Sequence, residues 1–352
     1  MTLRYTKAEL MAEHDYATPQ VVAGRRCHGG FDAEGRYLPP RTLVREPAIA
    51  AWTQALRARG GDLLACSSSM LAGVRVPNHE QQKLLLREGL GQTFWNTLTI
   101  TGVIEARGRV LAEIPVPSFQ AVIEEDLAGL AIGHLDQGLL VAHGLDEGGE
   151  PGRGIGGHDV MWFALRDLAF GPTDFAQPEL PTTIARPDVG EPLPELARPQ
   201  ARMLSFLMNL LLIELRAEIG FAFTEALLLD PELFLDRRAQ AEEAATVVAR
   251  IRRDERVHLD SLRLFLGEAR SLTFVGVDGS RIPGALLIDP FFADLVRWAT
   301  VEQPALVAER TRATLRARIL ESPRGADIIE RFVALEAAPD VVRVGGEPWL
   351  SH

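Results

Sequence analysis

The chain has 352 residues, 47% of them hydrophobic and 24% charged, and a formal net charge of −11. These values are ordinary for a globular chain and exclude wholesale disorder, while the negative charge argues against a nucleic-acid backbone or an anionic membrane as the main partner. With only two cysteines, Cys27 and Cys66, the sequence also excludes a disulfide framework and a cysteine-rich zinc site.

The sequence gives no sign of export or of a membrane span. The N-terminus has no apolar segment of the signal-peptide type. The longest apolar run, residues 204–215, is interrupted by polar residues and falls short of the roughly 20 residues that cross a bilayer. We therefore predict a cytoplasmic protein. Apolar residues occupy a broad face of the predicted helix at residues 204–223, which is typical of a buried central helix and equally of a homodimer interface.

The first 80 residues have weak periodicity and many turn signals, which is typical of an irregular arm ordered by packing on the rest of the chain. One helix is predicted near residues 46–59, where Pro47 suits a first helical position. Residues 80–106 then change to a helical pattern, which predicts the first long helix of the main domain.

The next predicted elements follow a proline-containing loop. A second long helix is expected over residues 118–143, with Gly144 as its C-terminal glycine. A shorter helix is expected at residues 158–169. The high proline content of residues 171–198 predicts a long crossover connection without regular structure.

Two strong helical patterns, at residues 199–229 and 237–268, are separated by a short connection. We therefore expect two antiparallel neighbouring helices. After them, Asp278 and Gly279 separate two apolar runs, residues 272–277 and 282–288, which predicts a β-hairpin.

Together these elements predict a mainly α-helical fold, a helical bundle with additions. An N-terminal arm, residues 1–80, would pack on the core. Residues 81–268 would form a metal-binding helical bundle, and residues 269–352 would add the hairpin and two or three C-terminal helices. An irregular tail is expected from about residue 339.

The candidate functional residues lie on the helix at residues 237–268. Glu255 and His258 belong to a stripe with steps of three and four residues, whose other members are all apolar: Val248, Ile251, Leu262 and Phe265. The two residues therefore point to the core, where they would be costly without partners. Glu-x-x-His is the spacing at which a carboxylate and an imidazole on consecutive turns bind one metal ion.

A third ligand is expected from the preceding helix. Glu214 lies on an apolar stripe, and with a turn near residue 233 it comes nearly level with Glu255 at a rise of about 1.5 Å per residue. Glu218, one turn further on, is the alternative. A competing interpretation treats Glu255 and His258 as a buried polar pair that serves only the structure.

A core glutamate on one helix and Glu-x-x-His on the next resembles half of the site in ferritin-like or heme-oxygenase-like di-metal carboxylate oxidases. The resemblance covers about residues 83–268. In the ferritin-like pattern the first helix pair supplies a second such set, but here Ala131 stands three residues before His134. The further ligands implied by the resemblance are His134, Glu125 and His158; otherwise the site holds a single ion.

The function implied by this resemblance is that of a non-haem oxidase or oxygenase. One or two iron ions, with manganese as the alternative, would activate dioxygen to oxidise a small organic substrate held between the helices. Carboxylates and imidazoles suit both metals. Such an enzyme fits a homodimer and an external electron donor, and it needs neither nucleic acid nor a membrane.

Two other functions stay open at this point. His158 and Asp159, with an earlier histidine and a later aspartate, are similar to the H…HD…D order of HD-type metal-dependent phosphohydrolases. The third hypothesis is a non-catalytic helical scaffold protein, in which the buried polar residues only fix the packing.

Overall fold

The computed structural model describes residues 3–71, 73, 75–187 and 190–338. It is mainly helical with two small antiparallel sheets, which confirms the predicted fold class. The tail predicted from about residue 339 lies outside the described residues. The helices are α1 (Lys7–Leu10), α2 (Arg45–Ala58), α3 (His79–Arg87), α4 (Gln92–Gly108), α5 (Leu140–Gly148), α6 (His158–Phe170), α7 (Arg198–Leu229), α8 (Arg238–Ser271), α9 (Gly284–Arg297), α10 (Gln303–Leu320) and α11 (Gly325–Ala334). The strands are β1 (Thr18–Val22), β2 (Arg25–Phe31), β3 (Tyr37–Leu38), β4 (Thr273–Val275) and β5 (Arg281–Pro283).

The longest helices, α7 and α8, form the packed pair that the sequence predicts. α7 has Pro199 in its first turn, where the missing amide hydrogen costs nothing, and it ends before Asp230 and Pro231. Helix α6 packs between α4 and α8, and α5 packs on α4 and α6. The helices α4 to α8 therefore surround one buried volume.

The prediction of a continuous helix over residues 118–143 is wrong. Short 3₁₀ and π turns at residues 119–121, 131–134 and 135–139 enclose an irregular loop, and α5 begins only at Leu140. Two local features exclude a continuous helix. The side chain of Gln120 bonds backbone groups of Ile123, Glu125 and Leu127, and Gly138 has a φ of +101°, outside helical space.

The predicted C-terminal glycine of that helix, Gly144, lies inside α5 instead. A Cβ at this position would collide with the backbone nitrogen of Ala112 and with Leu111. Glycine is therefore present because another segment of the chain approaches closely. This contact fixes α5 against the end of α4.

The N-terminal arm is more regular than predicted. It contains a three-stranded antiparallel sheet in the order β1-β2-β3, and α2 packs on α8. The helical pattern at residues 80–106 is divided into α3 and α4, because Gly89 has a φ of +76°. Residues 171–197, the predicted crossover, contain no helix or strand in their described part.

The hairpin around Gly279 is confirmed in part. β4 pairs with β5, but β5 is only three residues long and α9 begins at Gly284. The second run is helical because its buried residues, Leu287, Ile288, Phe292 and Leu295, recur with helical spacing. Across the described ranges, none of the helices is long and apolar enough to cross a membrane.

A buried carboxyl group on α8 makes the stability of this fold depend on pH. Glu268 accepts a hydrogen bond from the backbone N–H of Ile132 at 2.9 Å, and its other oxygen has no hydrogen bond. Burial raises the pKa of Glu268 to about 7. The folded state thus holds this proton more tightly than the unfolded state, whose carboxyl titrates near its ordinary value of about 4.3.

We expect the free energy of unfolding to fall as pH rises from about 4.5 to about 7, by about 3 kcal/mol for a shift of this size. Glu268→Gln, which resembles the protonated acid, should lack this loss and be the more stable protein at pH 8. Urea denaturation at pH 5 and pH 8 measures the difference, with the exposed Glu243→Gln on the same helix as control. Parallel pH profiles for wild type and Glu268→Gln would contradict the assignment.

Candidate metal centre

Seven buried side chains with metal-binding atoms converge between helices α4 to α8. They are four glutamates and three histidines, and each helix contributes one or two. The set is Glu105 (α4), His143 and Glu147 (α5), His158 (α6), Glu214 (α7), and Glu255 and His258 (α8). Spacings of four residues on α5 and three on α8 place both members of each pair on one helix face.

The first group in this cluster contains two imidazoles and two carboxylates. Nε2 of His143 lies 2.9 Å from Oε1 of Glu214 and 3.5 Å from Oε1 of Glu147. Nδ1 of His258 lies 3.2 Å from the same Glu147 oxygen. The rings of His143 and His258 stack with their centroids 3.8 Å apart. All four ligand atoms lie within 4.8 Å of one another, so one ion could contact them all.

The second group contains one imidazole and three carboxylates. Nδ1 of His158 lies 3.0 Å from Oε1 of Glu255, 3.6 Å from Oε2 of Glu105 and 3.7 Å from Oε2 of Glu147. These four side chains also meet the condition that one ligand atom of each lies within 4.8 Å of the others. His158 is fully buried, so water does not compete for its ring nitrogens.

Two carboxylates connect the groups. Glu147 directs Oε1 to His143 and His258 and Oε2 to His158. Glu255 directs Oε2 to His258, at 2.9 Å from Nδ1, and Oε1 to His158. A carboxylate whose two oxygens face two neighbouring ion positions has the geometry of a bridging ligand, which is common in two-metal sites.

The aspartate next to Glu147 contacts His258. Asp146 is completely buried, and its Oδ2 lies 3.2 Å from Nε2 of His258. The same carboxylate accepts hydrogen bonds from Arg41 and Arg45, each at 2.7 Å. If Nε2 of His258 donates to Asp146, its Nδ1 lone pair is free for an ion, which is the usual role of a carboxylate behind a ligating histidine.

A second aspartate does the same for His158. Oδ2 of Asp254 lies 3.2 Å from Nε2 of His158 and accepts a hydrogen bond from the hydroxyl of Tyr37 at 2.9 Å. Nε2 of His28, on β2, also lies 3.2 Å from this oxygen. His28, His158 and Asp254 could themselves hold an ion. The hydrogen bonds to Asp254 come from Tyr37 and His158, whereas both ring nitrogens of His28 are buried without a hydrogen bond. The bond from Nε2 leaves Nδ1 of His158 to the glutamates.

Burial and mutual repulsion shift the pKa values of side chains in this cluster. Burial raises the pKa of Glu214 well above its ordinary value, and the nearby Glu255 raises it further. Burial alone would lower the pKa of His258, but Glu255 and the other carboxylates raise it well above its ordinary value. Oε1 of Glu147 and Nδ1 of His158 are buried without a hydrogen bond. The donor set therefore fits bound cations, which would replace these protons and contact these atoms.

Of the six ligands predicted from the sequence, the structure brings four together: Glu214, Glu255, His258 and His158. The other two lie elsewhere. His134 bonds the backbone oxygen of Leu130 through Nδ1 at 2.7 Å and accepts from the N–H of Tyr5 at 3.2 Å. Both oxygens of Glu125 accept from the N–H of Thr273. These two residues connect loops and are outside the groups of potential ligands among the described residues.

His143, Glu147 and Glu105 are not among the ligands predicted from the sequence. The helix predicted over residues 118–143 ends at Gly144, which places His143 in its last turn and Glu147 outside it. The sequence does contain a related pattern: an Asp-Glu dyad follows a histidine in His-x-x-Asp-Glu at residues 143–147 and precedes one in Asp-Glu-x-x-His at residues 254–258.

The side chains of His158 and Asp159, the pair that is similar to the phosphohydrolase motif, contact different parts of the structure. His158 belongs to the cluster, whereas Oδ1 of Asp159 accepts hydrogen bonds from the backbone N–H groups of Val160 and Gly157. Asp159 therefore satisfies amides at the start of α6, as acidic residues in a first helical turn commonly do.

Comparison with known proteins gives no match for this chain. No family model matches it, and neither a curated protein nor a solved structure matches it.

Proposed function

We propose that the chain is a non-haem metal-dependent oxidase or oxygenase with a carboxylate-bridged pair of ions between helices α4 to α8. The observation that carries this proposal is that Glu147 and Glu255 each direct one oxygen to either of two adjacent ligand groups. A site for one ion would not need carboxylates placed in this way.

The charge of the buried site also favours two ions. Six carboxylates are buried in or directly behind the cluster: Glu105, Asp146, Glu147, Glu214, Asp254 and Glu255. Arg41 and Arg45 are buried against only one of them, Asp146, and Arg41 also pairs with Glu150. Two divalent cations would bring four positive charges to the other carboxylates, and uncompensated charge in a protein interior is strongly unfavourable.

The proposed metal is iron, with manganese as the alternative. Three imidazoles and four carboxylates form a hard to borderline donor set that suits both metals, and the site contains no thiolate. A pair of reduced iron ions would supply the electrons that activate dioxygen. The protein would supply the shape and polarity of the site, and its substrate would be a small organic molecule bound between the helices.

The residues around the cluster would orient ligands and exclude water. Asp146 and Asp254 would fix the ring orientations of His258 and His158. Trp162, one turn beyond His158, packs against Phe221, two turns beyond Glu214, with ring centroids 4.8 Å apart. Apolar walls of this kind limit the access of water to reactive species.

The two alternatives make different predictions. A phosphohydrolase centred on His158 and Asp159 would need the Asp159 carboxylate at the ion, but that group bonds backbone amides. A scaffold protein would leave seven convergent ligand side chains without a chemical role. The bridging arrangement therefore supports the oxidase proposal best.

The test is anaerobic reconstitution with ferrous iron, followed by elemental analysis and an oxygen electrode. We expect about two iron ions per chain and faster uptake of dioxygen than by the same concentration of free iron, with both lost in His258→Ala. Failure to retain metal after reconstitution would refute the proposal and leave the scaffold. Bound metal without dioxygen uptake, together with hydrolysis of p-nitrophenyl phosphate that Asp159→Ala abolishes, would establish the phosphohydrolase instead.

A further inference from the structure

A histidine of the N-terminal arm is buried behind the cluster with no hydrogen bond to its side chain. His28 is 3% exposed, and within the described part of the chain neither of its ring nitrogens forms a hydrogen bond. A buried polar group without a partner is costly, and such groups are rare in folded proteins. The side chains that surround His28 therefore indicate what its ring nitrogens bind.

The backbone fixes the position of His28 between β2 and α6. Its N–H donates to the oxygen of Gly156 at 2.9 Å, and the N–H of Gly156 donates to the oxygen of Arg26 at 2.9 Å. The side-chain amide of Gln20 donates to the backbone oxygen of His28 at 2.9 Å. These bonds place its ring beside that of His158, with centroids 5.0 Å apart and planes at 81°. The fold thus positions the imidazole without a hydrogen bond to the ring itself.

The two imidazoles face one carboxylate. Nε2 of His28 and Nε2 of His158 each lie 3.2 Å from Oδ2 of Asp254. The other oxygen, Oδ1, is buried without a hydrogen bond among the described residues. One ligand atom of each of the three residues lies within 4.8 Å of the others. Ligand atoms at about 2.0 Å from a tetrahedral zinc ion lie roughly 3.3 Å apart, which is close to the two observed separations.

The contact between His28 and Asp254 is not a hydrogen bond, although its length of 3.2 Å would allow one. A hydrogen bond requires the ring N–H to point at the acceptor oxygen. Two ligands of one ion instead point at a third position, and their own separation is similar. The alignment of His28 therefore suits a shared ion better than a proton shared with Asp254.

We propose that His28, His158 and Asp254 bind a zinc ion, which links the N-terminal arm to helices α6 and α8. Two imidazoles and one carboxylate are an established zinc ligand set, with a fourth position for water. The ion would replace the proton that Nε2 of His158 donates to Asp254, and that proton would pass to solvent. The carboxylate and the deprotonated ring would then balance the two charges of the ion. His158 would contact the cluster through Nδ1 and the zinc ion through Nε2.

This zinc site is independent of the proposed oxidase function and does not change the expected iron content. Sites with nitrogen and oxygen ligands bind ferrous iron more weakly than cobalt or zinc. Here the ion must also displace a ring proton, which favours the more strongly bound metals further. The two iron ions expected on reconstitution are therefore those of the cluster.

The experiment is equilibration of the ion-free chain with zinc, followed by dialysis and elemental analysis. Zinc also suits the cluster, so wild type should retain about three ions per chain and His28→Ala about two. Glu147→Ala, in which the cluster is lost, should retain about one, and the double variant Glu147→Ala/His28→Ala almost none. His14→Ala is the matched control in the arm, because Nε2 of His14 contacts the hydroxyl of Thr42. Its zinc content should equal that of wild type.

Two further measurements identify the site in the Glu147→Ala protein. Cobalt(II) in a tetrahedral site absorbs visible light strongly, so added cobalt should give intense bands that the double variant lacks. Zinc should raise the unfolding temperature of Glu147→Ala and leave that of the double variant unchanged, because an ion bound only by the folded chain stabilises it. Circular dichroism of the ion-free proteins checks folding, and His28→Gln replaces the alanine variant if that variant is unfolded.

Equal zinc contents of Glu147→Ala and the double variant would overturn the inference. Two zinc ions in wild type that His28→Ala leaves unchanged would remove the zinc site and leave the proposed function intact. A single ion in wild type that is lost in His28→Ala but kept in Glu147→Ala would support the zinc site and remove the two-ion cluster.

Discussion

Glu147→Ala is expected to abolish binding of both metal ions, and it is the substitution with the largest predicted effect. Its two oxygens face both ligand groups, so both ion positions lose a ligand at once. Metal content should fall from about two ions per chain to almost none, with affinity reduced by more than about 100-fold, beyond the range for residues that act behind a ligand. Elemental analysis after reconstitution and dialysis measures the change.

Variants that affect one group provide the comparison. Glu105→Ala and Glu214→Ala each remove a ligand from one group only, so each should leave about one ion per chain. Glu125→Ala is the negative control, because Glu125 bonds the backbone of Thr273 away from the cluster. The ion-free Glu147→Ala protein should keep its circular dichroism spectrum. If it retained one ion with unchanged affinity, Glu147 would not be a bridge.

The second large effect is expected on stability, from Asp146→Ala. This substitution removes the buried carboxylate shared by Arg41 and Arg45 and the partner of Nε2 of His258. Arg41 keeps an ion pair with Glu150, but Arg45 keeps only the backbone oxygen of Pro40, so its buried charge loses its counterion. Removing one member of a buried ion pair typically costs about 3–5 kcal/mol, because the remaining charge has no compensation. The free energy of unfolding of the ion-free protein, measured in urea at pH 7, should fall by this amount.

Metal affinity tests the role of Asp146 independently of stability. With His258 no longer oriented, affinity should fall about 10- to 100-fold, a smaller loss than for a ligand itself. The control is Asp289→Ala, which breaks the exposed pair with Arg270 and should cost less than about 1 kcal/mol. A stability loss for Asp146→Ala as small as that of the control would show that Glu150 and the backbone oxygen of Pro40 are sufficient acceptors for Arg41 and Arg45.

The N-terminal arm takes part in the metal centre, which its weak sequence pattern did not indicate. His28 and Tyr37 contact Asp254, and Arg41 and Arg45 contact Asp146. These four residues are separated from the aspartates by about 100 residues or more of sequence. Local sequence patterns cannot predict a contact between an arginine in an irregular segment and an aspartate on a later helix. The contact forms only when the arm packs on the bundle.

The helices α7 and α8 could be predicted from the sequence, together with three of their candidate ligands, Glu214, Glu255 and His258. This prediction was possible because the spacing of apolar residues shows which face of an amphipathic helix packs on the core. A polar residue on that face must also point to the core. The two half-patterns at residues 143–147 and 254–258 were also present in the sequence, but only one was recognised.

Tertiary structure alone decided the rest of the site. The position at which α5 begins depends on Gly138 and on the loop bonded by Gln120, and that position brings His143 and Glu147 to the centre while leaving His134 outside it. Glu105 and His158 join the cluster because α6 packs between α4 and α8. Periodicity describes one helix at a time, whereas a shared ion site depends on how separate helices are placed, and that placement is set by the packing of the whole core.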